Sequence, residues 1–114
     1  MHEMSMMAYL LETVEETARA MGASRVTAIN LVVGARTGAI DDSLLFYFDM
    51  MTPDTVAAGA KLNIRRTYMT FHCEGCDEEY TPEVGGFDCP RCGKVGRLTY
   101  DASELQLESI EIEE

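Results

Sequence analysis

Between residues 4 and 21 the apolar side chains Met4, Met7, Leu11, Val14, Ala18 and Met21 recur in steps of three and four. That spacing lays one stripe along a helix. Glu12, Glu15, Glu16 and Arg19 take the opposite face, and Gly22 follows where a helix C-terminus favours glycine. The period then changes. Arg25 to Ala35, RVTAINLVVGA, is rich in β-branched residues and short enough for a strand, with Val26 and Ala28 on one side and Ile29, Leu31 and Val33 on the other. Residues 34–38 read as a turn. DDSLLFYFDMM opens on cap-competent Asp42 or Ser43 and stops before Thr52-Pro53, which predicts a short second helix. Residues 61–67 alternate, Leu62 and Ile64 against Lys61, Asn63, Arg65 and Thr67, as a half-buried strand does.

The closing stretch ELQLESIEIEE also alternates, but its phase shifts: Leu105 and Leu107 are at odd positions, Ile110 and Ile112 at even ones. One face can hold both pairs only if an extra residue intervenes, so a β-bulge is expected near Glu108-Ser109, with a bend or a doubly buried strand as the alternatives. The order of elements predicts an α+β fold: a small three-stranded antiparallel sheet with two helices over one face, plus an inserted four-cysteine hairpin ribbon. The expected division is an α+β domain at 1–70 and 104–114, with an inserted domain at 71–103.

Composition narrows the function. The chain has 114 residues, 46% of them apolar, which suits one small domain with an appendage. No apolar run approaches the ~20 residues of a membrane-spanning helix, and the N-terminus lacks a basic segment followed by an apolar one. The expected location is the cytoplasm, where structural disulfides are rare. The formal net charge of −11 disfavours nucleic-acid phosphates and suits basic protein partners and metal cations.

The strongest local signal is CEGCDEEYTPEVGGFDCPRC. Cys73 and Cys76 form one C-x2-C pair and Cys89 and Cys92 another, so two short loops can supply four thiolates to one tetrahedral ion. Zinc is the first choice and iron the runner-up, since Cys89-Pro90-Arg91-Cys92-Gly93 would also suit a rubredoxin-type knuckle. Four thiolates leave no open position for water, which argues for a structural ion and against hydrolysis. A segment this short has little apolar core, so the metal is expected to supply its folding energy. His72 is expected beside the cluster or exposed rather than as a ligand. Acidic Glu74, Asp77, Glu78, Glu79, Glu83 and Asp88 face only Arg91 within the ribbon, the reverse of what phosphate recognition needs. Neither a catalytic triad nor a phosphate-cradling loop is present, so no enzyme is expected. Eight methionines invite a soft-metal reading, but Met4, Met7 and Met21 fall on the helical stripe, where methionine fills gaps.

One of only two histidines stands second, in Met1-His2-Glu3. At a free N-terminus the α-amine, the His2 amide nitrogen and its imidazole come within chelating reach of one ion, and Ni(II) or Cu(II) favours such nitrogen-rich sites. Glu3 adds a carboxylate as a further ligand or as an orienting group. A site at a chain end is exposed and reversible, which suits delivery.

Met1-His2-Glu3, INLVVGARTGAIDDSLLFYF, GAKLNI, the two C-x2-C pairs and the closing SIEIE together resemble the HypA/HybF family over essentially the whole chain. The resemblance implies a nickel metallochaperone for maturation of the [NiFe]-hydrogenase large subunit, with nickel held by His2 and Glu3. It implies a structural zinc on Cys73, Cys76, Cys89 and Cys92, and work with the HypB GTPase. Some family members also serve urease, which brings urease accessory proteins into the expected partner set. Asp41 matches a position sometimes considered a further nickel ligand, while Asp42 reads as easily as a helix cap. Relatives that place a histidine after the second cysteine pair have no counterpart here. The contrasting expectation is a zinc-ribbon adaptor with no labile metal.

Overall fold

The computed structural model describes residues 2–82 and 86–113, His2 by its backbone alone. Helix α1 (His2–Ala20) is followed by strand β1 (Arg25–Gly34), a 3-10 turn (Ala35–Thr37), helix α2 (Asp41–Met51) and strand β2 (Lys61–Thr67). Three short strands come next, β3 (Thr70–Cys73), β4 (Glu78–Tyr80) and β5 (Arg97–Tyr100), and the long strand β6 (Leu105–Glu113) closes the chain. Two sheets result, with strand orders β2-β1-β6 and β4-β3-β5, in a molecule 54 × 28 × 17 Å across.

The α+β class with two helices and a three-stranded sheet is as expected, but that sheet is mixed rather than antiparallel throughout. β6 runs antiparallel to β1, whereas β2 runs parallel to it. The reason lies in the connection: a crossover containing a helix returns the chain to the end where β1 began, and a strand entered there is parallel. Only a short hairpin would have reversed it.

The core lies between this sheet and the two helices. Met7, Leu10, Val14 and Ala18 of α1 and Leu44 and Phe48 of α2 pack on Val26, Ile29, Leu31 and Val33 of β1. Each leucine-sized side chain so buried contributes about 1.5–3 kcal/mol. Met4 and Met21, assigned to the stripe by spacing, are exposed, and Leu10 takes a place beside half-buried Leu11. The helix ends project past the surface that could bury them. α1 closes with Gly22 N–H donating to the Arg19 carbonyl at 3.0 Å and Ala23 N–H to the Ala18 carbonyl at 2.9 Å, a Schellman closure that satisfies terminal carbonyls.

β6 carries the expected bulge. Asn30 pairs with Ser109 and Leu31 with Leu107, so Glu108 is the extra residue. Leu105, Leu107, Ile110 and Ile112 consequently all pack toward the core. A second irregularity sits across the ladder, where Val26 pairs with Ile112 and Ala28 with Glu111, leaving Thr27 extra. This corrects the simple alternation read for β1: Val26 shares the core face with Ile29.

The sheet joins the ribbon through a tight seam. Gly34 N–H donates to the Glu104 carbonyl at 2.8 Å and Arg36 N–H to the Ala102 carbonyl at 2.9 Å. Ala102 is fully buried with φ 53°. A Cβ on Gly34 would lie 2.1 Å from the Ala102 carbonyl oxygen, so only glycine admits this approach. The Thr67 hydroxyl and the Tyr100 hydroxyl, 2.8 Å apart, tie the other linker to the same place.

Candidate metal centres

β3 ends at Cys73, and the chain turns through Glu74-Gly75-Cys76 into β4. Asp77 N–H donates to the Cys73 carbonyl at 2.7 Å, and Asp77 itself is left-handed at φ 57°. The second loop repeats the geometry: Gly93 N–H donates to the Cys89 carbonyl at 2.9 Å, with Gly93 at φ 79°. Asp tolerates the left-handed region better than most side chains and glycine does so freely. Each loop thus turns its two cysteines toward a common centre, with Cys92 on the exposed side, and Cys76 N–H points at Cys73 Sγ, 3.4 Å away.

The four sulfurs of Cys73, Cys76, Cys89 and Cys92 lie within 4.8 Å of one another. Cys73 and Cys92 are separated by 3.5 Å, and Cys76 and Cys89 by 3.9 Å. A tetrahedron with metal–sulfur bonds of ~2.3 Å has edges of about 3.8 Å, so the donors already stand at coordination spacing. Their acidities diverge. The Cys76 thiol is pushed up to about 12, mainly by its hydrogen bond with the neighbouring Cys73 thiol. Cys89 is held down to about 7, first by the Cys92 backbone N–H and then by that of Arg91, which stabilise its thiolate. Four thiols this close share protons poorly, and a dication resolves the conflict by taking all four as thiolates.

Around the sulfurs the ribbon is thinly built. Phe71 is its main apolar anchor, stacked on Tyr80 and on Phe87 with ring centroids 5.6 Å away in both cases. The Tyr80 hydroxyl donates to the Phe87 carbonyl at 2.7 Å and accepts from Gly96 N–H at 2.8 Å, stitching three segments together. Sequence reading passed over Tyr80, although an aromatic residue with a polar tip in so small an element is the natural stitch. His72 stays off the sulfurs. Its ring nitrogens face the Asp77 carboxylate at 3.1 Å and the Glu79 carboxylate at 3.0 Å. Two of the ribbon's acids have exposed arginine partners, Glu78 with Arg91 at 2.6 Å and Glu74 with Arg97 at 3.3 Å. Glu83 lies outside the described residues.

Helix α1 begins at His2, with half-buried Glu3 in its first turn. Met1 and the His2 side chain lie outside the described residues. A helix's first N–H groups have no partner within the helix, so the backbone nitrogens of this segment are not committed to its ladder.

Asp41 opens α2, and Ile40 rather than Asp42 or Ser43 holds the N-cap position, without a side-chain cap. Arg66 cannot cap the helix's first N–H groups, since a guanidinium only donates, but it pins the start of the helix to β2. Its Nε and Nη2 donate to Asp41 Oδ1 at 2.8 and 2.6 Å, and Nη2 also donates to the Ala39 carbonyl. Arg66 was missed in the sequence, yet a signal was there. It shares the parity of Leu62 and Ile64, and an arginine on an apolar face needs a partner.

The comparisons with known proteins agree with this layout. Residues 1–112 match the family model described as "Hydrogenase/urease nickel incorporation, metallochaperone, hypA". The chain is 37% identical to the hydrogenase maturation factor HypA of a Roseiflexus species, an alignment covering all of this chain and 94% of that protein. It is also 37% identical to the HypA of Geobacter metallireducens, covering 99% of this chain and all of that one. Its fold resembles the solution structure of the Ni metallochaperone HypA from Helicobacter pylori, with a TM-score of 0.64 at 20% identity and 96% of each chain covered. A second HypA solution structure gives a TM-score of 0.68 at 23% identity, covering 98% of this chain and 96% of that one. The chain belongs to the HypA family of nickel-incorporation metallochaperones that act in hydrogenase maturation.

Proposed function

We propose that this chain binds Ni(II) at its N-terminus through His2 and Glu3 and delivers it to the [NiFe]-hydrogenase large subunit, working with the HypB GTPase. The observation that carries the reading is the family match, which runs from residue 1 and so includes Met1-His2-Glu3. The place of His2 at the very start of α1 supports it, because its backbone nitrogen has no helical carbonyl four residues earlier and can coordinate once deprotonated. Urease is the second client, reached through urease accessory proteins as partners, in keeping with the urease named in the family description.

Zinc is the structural ion on Cys73, Cys76, Cys89 and Cys92. The donor set fits it: four sulfurs at tetrahedral spacing, with no position left for substrate. In this reading residues 1–70 with 104–114 handle nickel, and 71–103 form the zinc-binding insert. Neither half is catalytic.

The test is metal content and nickel titration of untagged protein beside His2→Ala. One zinc per chain in both, with nickel bound by the wild type and lost in the variant, is the expected result. Unchanged nickel affinity in His2→Ala overturns the N-terminal site and favours an adaptor that holds zinc alone. An N-terminal extension should weaken nickel binding too, by blocking the amine.

A further inference from the structure

The four sulfurs of the cluster are not equally sheltered. Cys73 and Cys89 are buried, Cys76 is half-buried and Cys92 is exposed. Cys92 therefore presents the cluster to solvent, and Cys73 Sγ, from the other loop, lies 3.5 Å from its sulfur. Gly75 borders that same edge. A Cβ built on it would stand 3.8 Å from Cys92 Sγ and 3.9 Å from Cys73 Sγ. Those are ordinary contact distances, so a side chain at position 75 would fit there and cover the pair. Gly75 is exposed and has none. The third neighbour of that position is the flexible Lys94 stem, with Cδ 4.0 Å away. The Cys73–Cys92 edge is thus bare where the cluster meets water.

A metal-bound cysteine is held as its thiolate, which is the nucleophilic form. Thiolates that solvent can reach, with a second sulfur beside them, are the ones that peroxides oxidise reversibly. We propose that Cys92 and Cys73 form a peroxide-sensitive site, which releases the structural ion by closing a disulfide between the two loops. This role rests on the zinc reading above, and it sets a condition under which the ion leaves.

The Cys92 thiolate attacks one oxygen of hydrogen peroxide. The O–O bond breaks, Cys92 becomes a sulfenic acid, and hydroxide departs. The Cys73 thiolate then attacks the Cys92 sulfur and displaces a second hydroxide, which leaves the Cys73–Cys92 disulfide. The two sulfurs lose two electrons and the peroxide gains them. Cys76 and Cys89 remain as ligands, too few for a closed tetrahedral site. Because the new bond joins the two loops, it keeps them together while the ion is away. A bond within either C-x2-C pair would leave them unlinked. A thiol reductant reverses the step by exchange and restores all four donors.

The experiment exposes the zinc-loaded full chain to hydrogen peroxide beside a chromogenic zinc chelator. Free thiols are then alkylated, and disulfides are mapped by mass spectrometry. Zinc release in step with a Cys73–Cys92 disulfide is the expected result, with one zinc per chain regained after a thiol reductant and added zinc. Gly75→Ala and Gly75→Leu place progressively more carbon over the bare edge. Both are expected to start with one zinc per chain, and Gly75→Leu to slow release by about five-fold or more, because susceptibility follows exposure. Disulfides within the pairs, Cys73–Cys76 or Cys89–Cys92, overturn the proposal. So does zinc retained under peroxide, or release with sulfinic and sulfonic acids and no disulfide. Wild-type release rates in both zinc-loaded Gly75 variants overturn the open edge as the point of attack. A chain that takes up no zinc before peroxide is added overturns the zinc reading instead, and this site with it.

Discussion

The two halves of this molecule stay folded by different means. In the α+β half twelve buried side chains form a contiguous core between two helices and a sheet. Between residues 71 and 100 the buried apolar positions among the described residues are Phe71 and two of the cysteines, Cys73 and Cys89. Three short strands cannot offset the conformational entropy of their own ordering with that little burial. What fills the gap is four sulfurs at coordination spacing. One half is therefore specified by the volume and pattern of its side chains, the other by the spacing of four residues.

The sharpest way to break the comparison is to take the metal away. A strong chelator, or Cys73→Ser, should unfold the ribbon while leaving the α+β half intact, because structural zinc in small modules contributes about 10–16 kcal/mol of apparent binding free energy. The check is a two-dimensional NMR spectrum. Amide signals of residues 71–100 should collapse to random-coil positions while those of α1, β1 and α2 hold. Simultaneous loss of both sets would mean that the halves share one cooperative unit.

The converse substitution is Leu44→Ala. Leu44 is fully buried on the inner side of α2, and removing its side chain leaves a cavity. A loss of about 2–5 kcal/mol is expected, read as a lower denaturant midpoint. Zinc content should stay at one per chain up to that midpoint. A variant that sheds zinc in buffer alone would show that the ribbon leans on the core.

Legibility in the sequence follows the same division. The ribbon's four-cysteine cluster was readable because two C-x2-C pairs are a matter of residue type and short-range spacing. The phase shift from Leu107 to Ile110 revealed the β6 bulge for an equally local reason. The parallel pairing of β2 was not visible, because Leu62 and Ile64 alternate alike in either direction and only the path of the crossover decides between them. The matching irregularity at Thr27 escaped because Ala28 fits either face, so the change of phase at Val26 looked like simple alternation. Arg66 belongs to the same group. Its position on the strand was clear, but its partners Asp41 and the Ala39 carbonyl come from a turn more than twenty residues earlier.

The seam between the halves should show a smaller effect. Gly34→Ala places a Cβ 2.1 Å from the Ala102 carbonyl oxygen, an approach that atoms do not tolerate. Residues 101–104 must move, and the bonds from Gly34 and Arg36 weaken with them. A stability loss on the order of 1–3 kcal/mol is expected. Residual dipolar couplings should report a changed orientation of the ribbon against β1, with each half internally unaltered. Unchanged couplings would mean that the seam does not fix the orientation.

The smallest effect lies in the same seam and depends on pH. The Asp101 carboxyl sits below the ordinary carboxylate range, chiefly because the Ser103 hydroxyl donates to it at 2.9 Å, and next because the Ser103 backbone N–H does so at 3.2 Å. Both donors favour the ionised form, so the folded state binds this proton less readily than the unfolded chain does. Its stabilising contribution is present in full above the ordinary carboxylate range and is lost as pH falls through the depressed value. Acidification of the metal-loaded chain should therefore weaken the seam only as pH falls below the ordinary carboxylate range. Ser103→Ala should raise the Asp101 carboxyl toward its ordinary value, as followed by carboxyl-carbon NMR. An Asp101 titration that Ser103→Ala leaves unmoved would mean that the Ser103 hydroxyl does not hold the seam's charge.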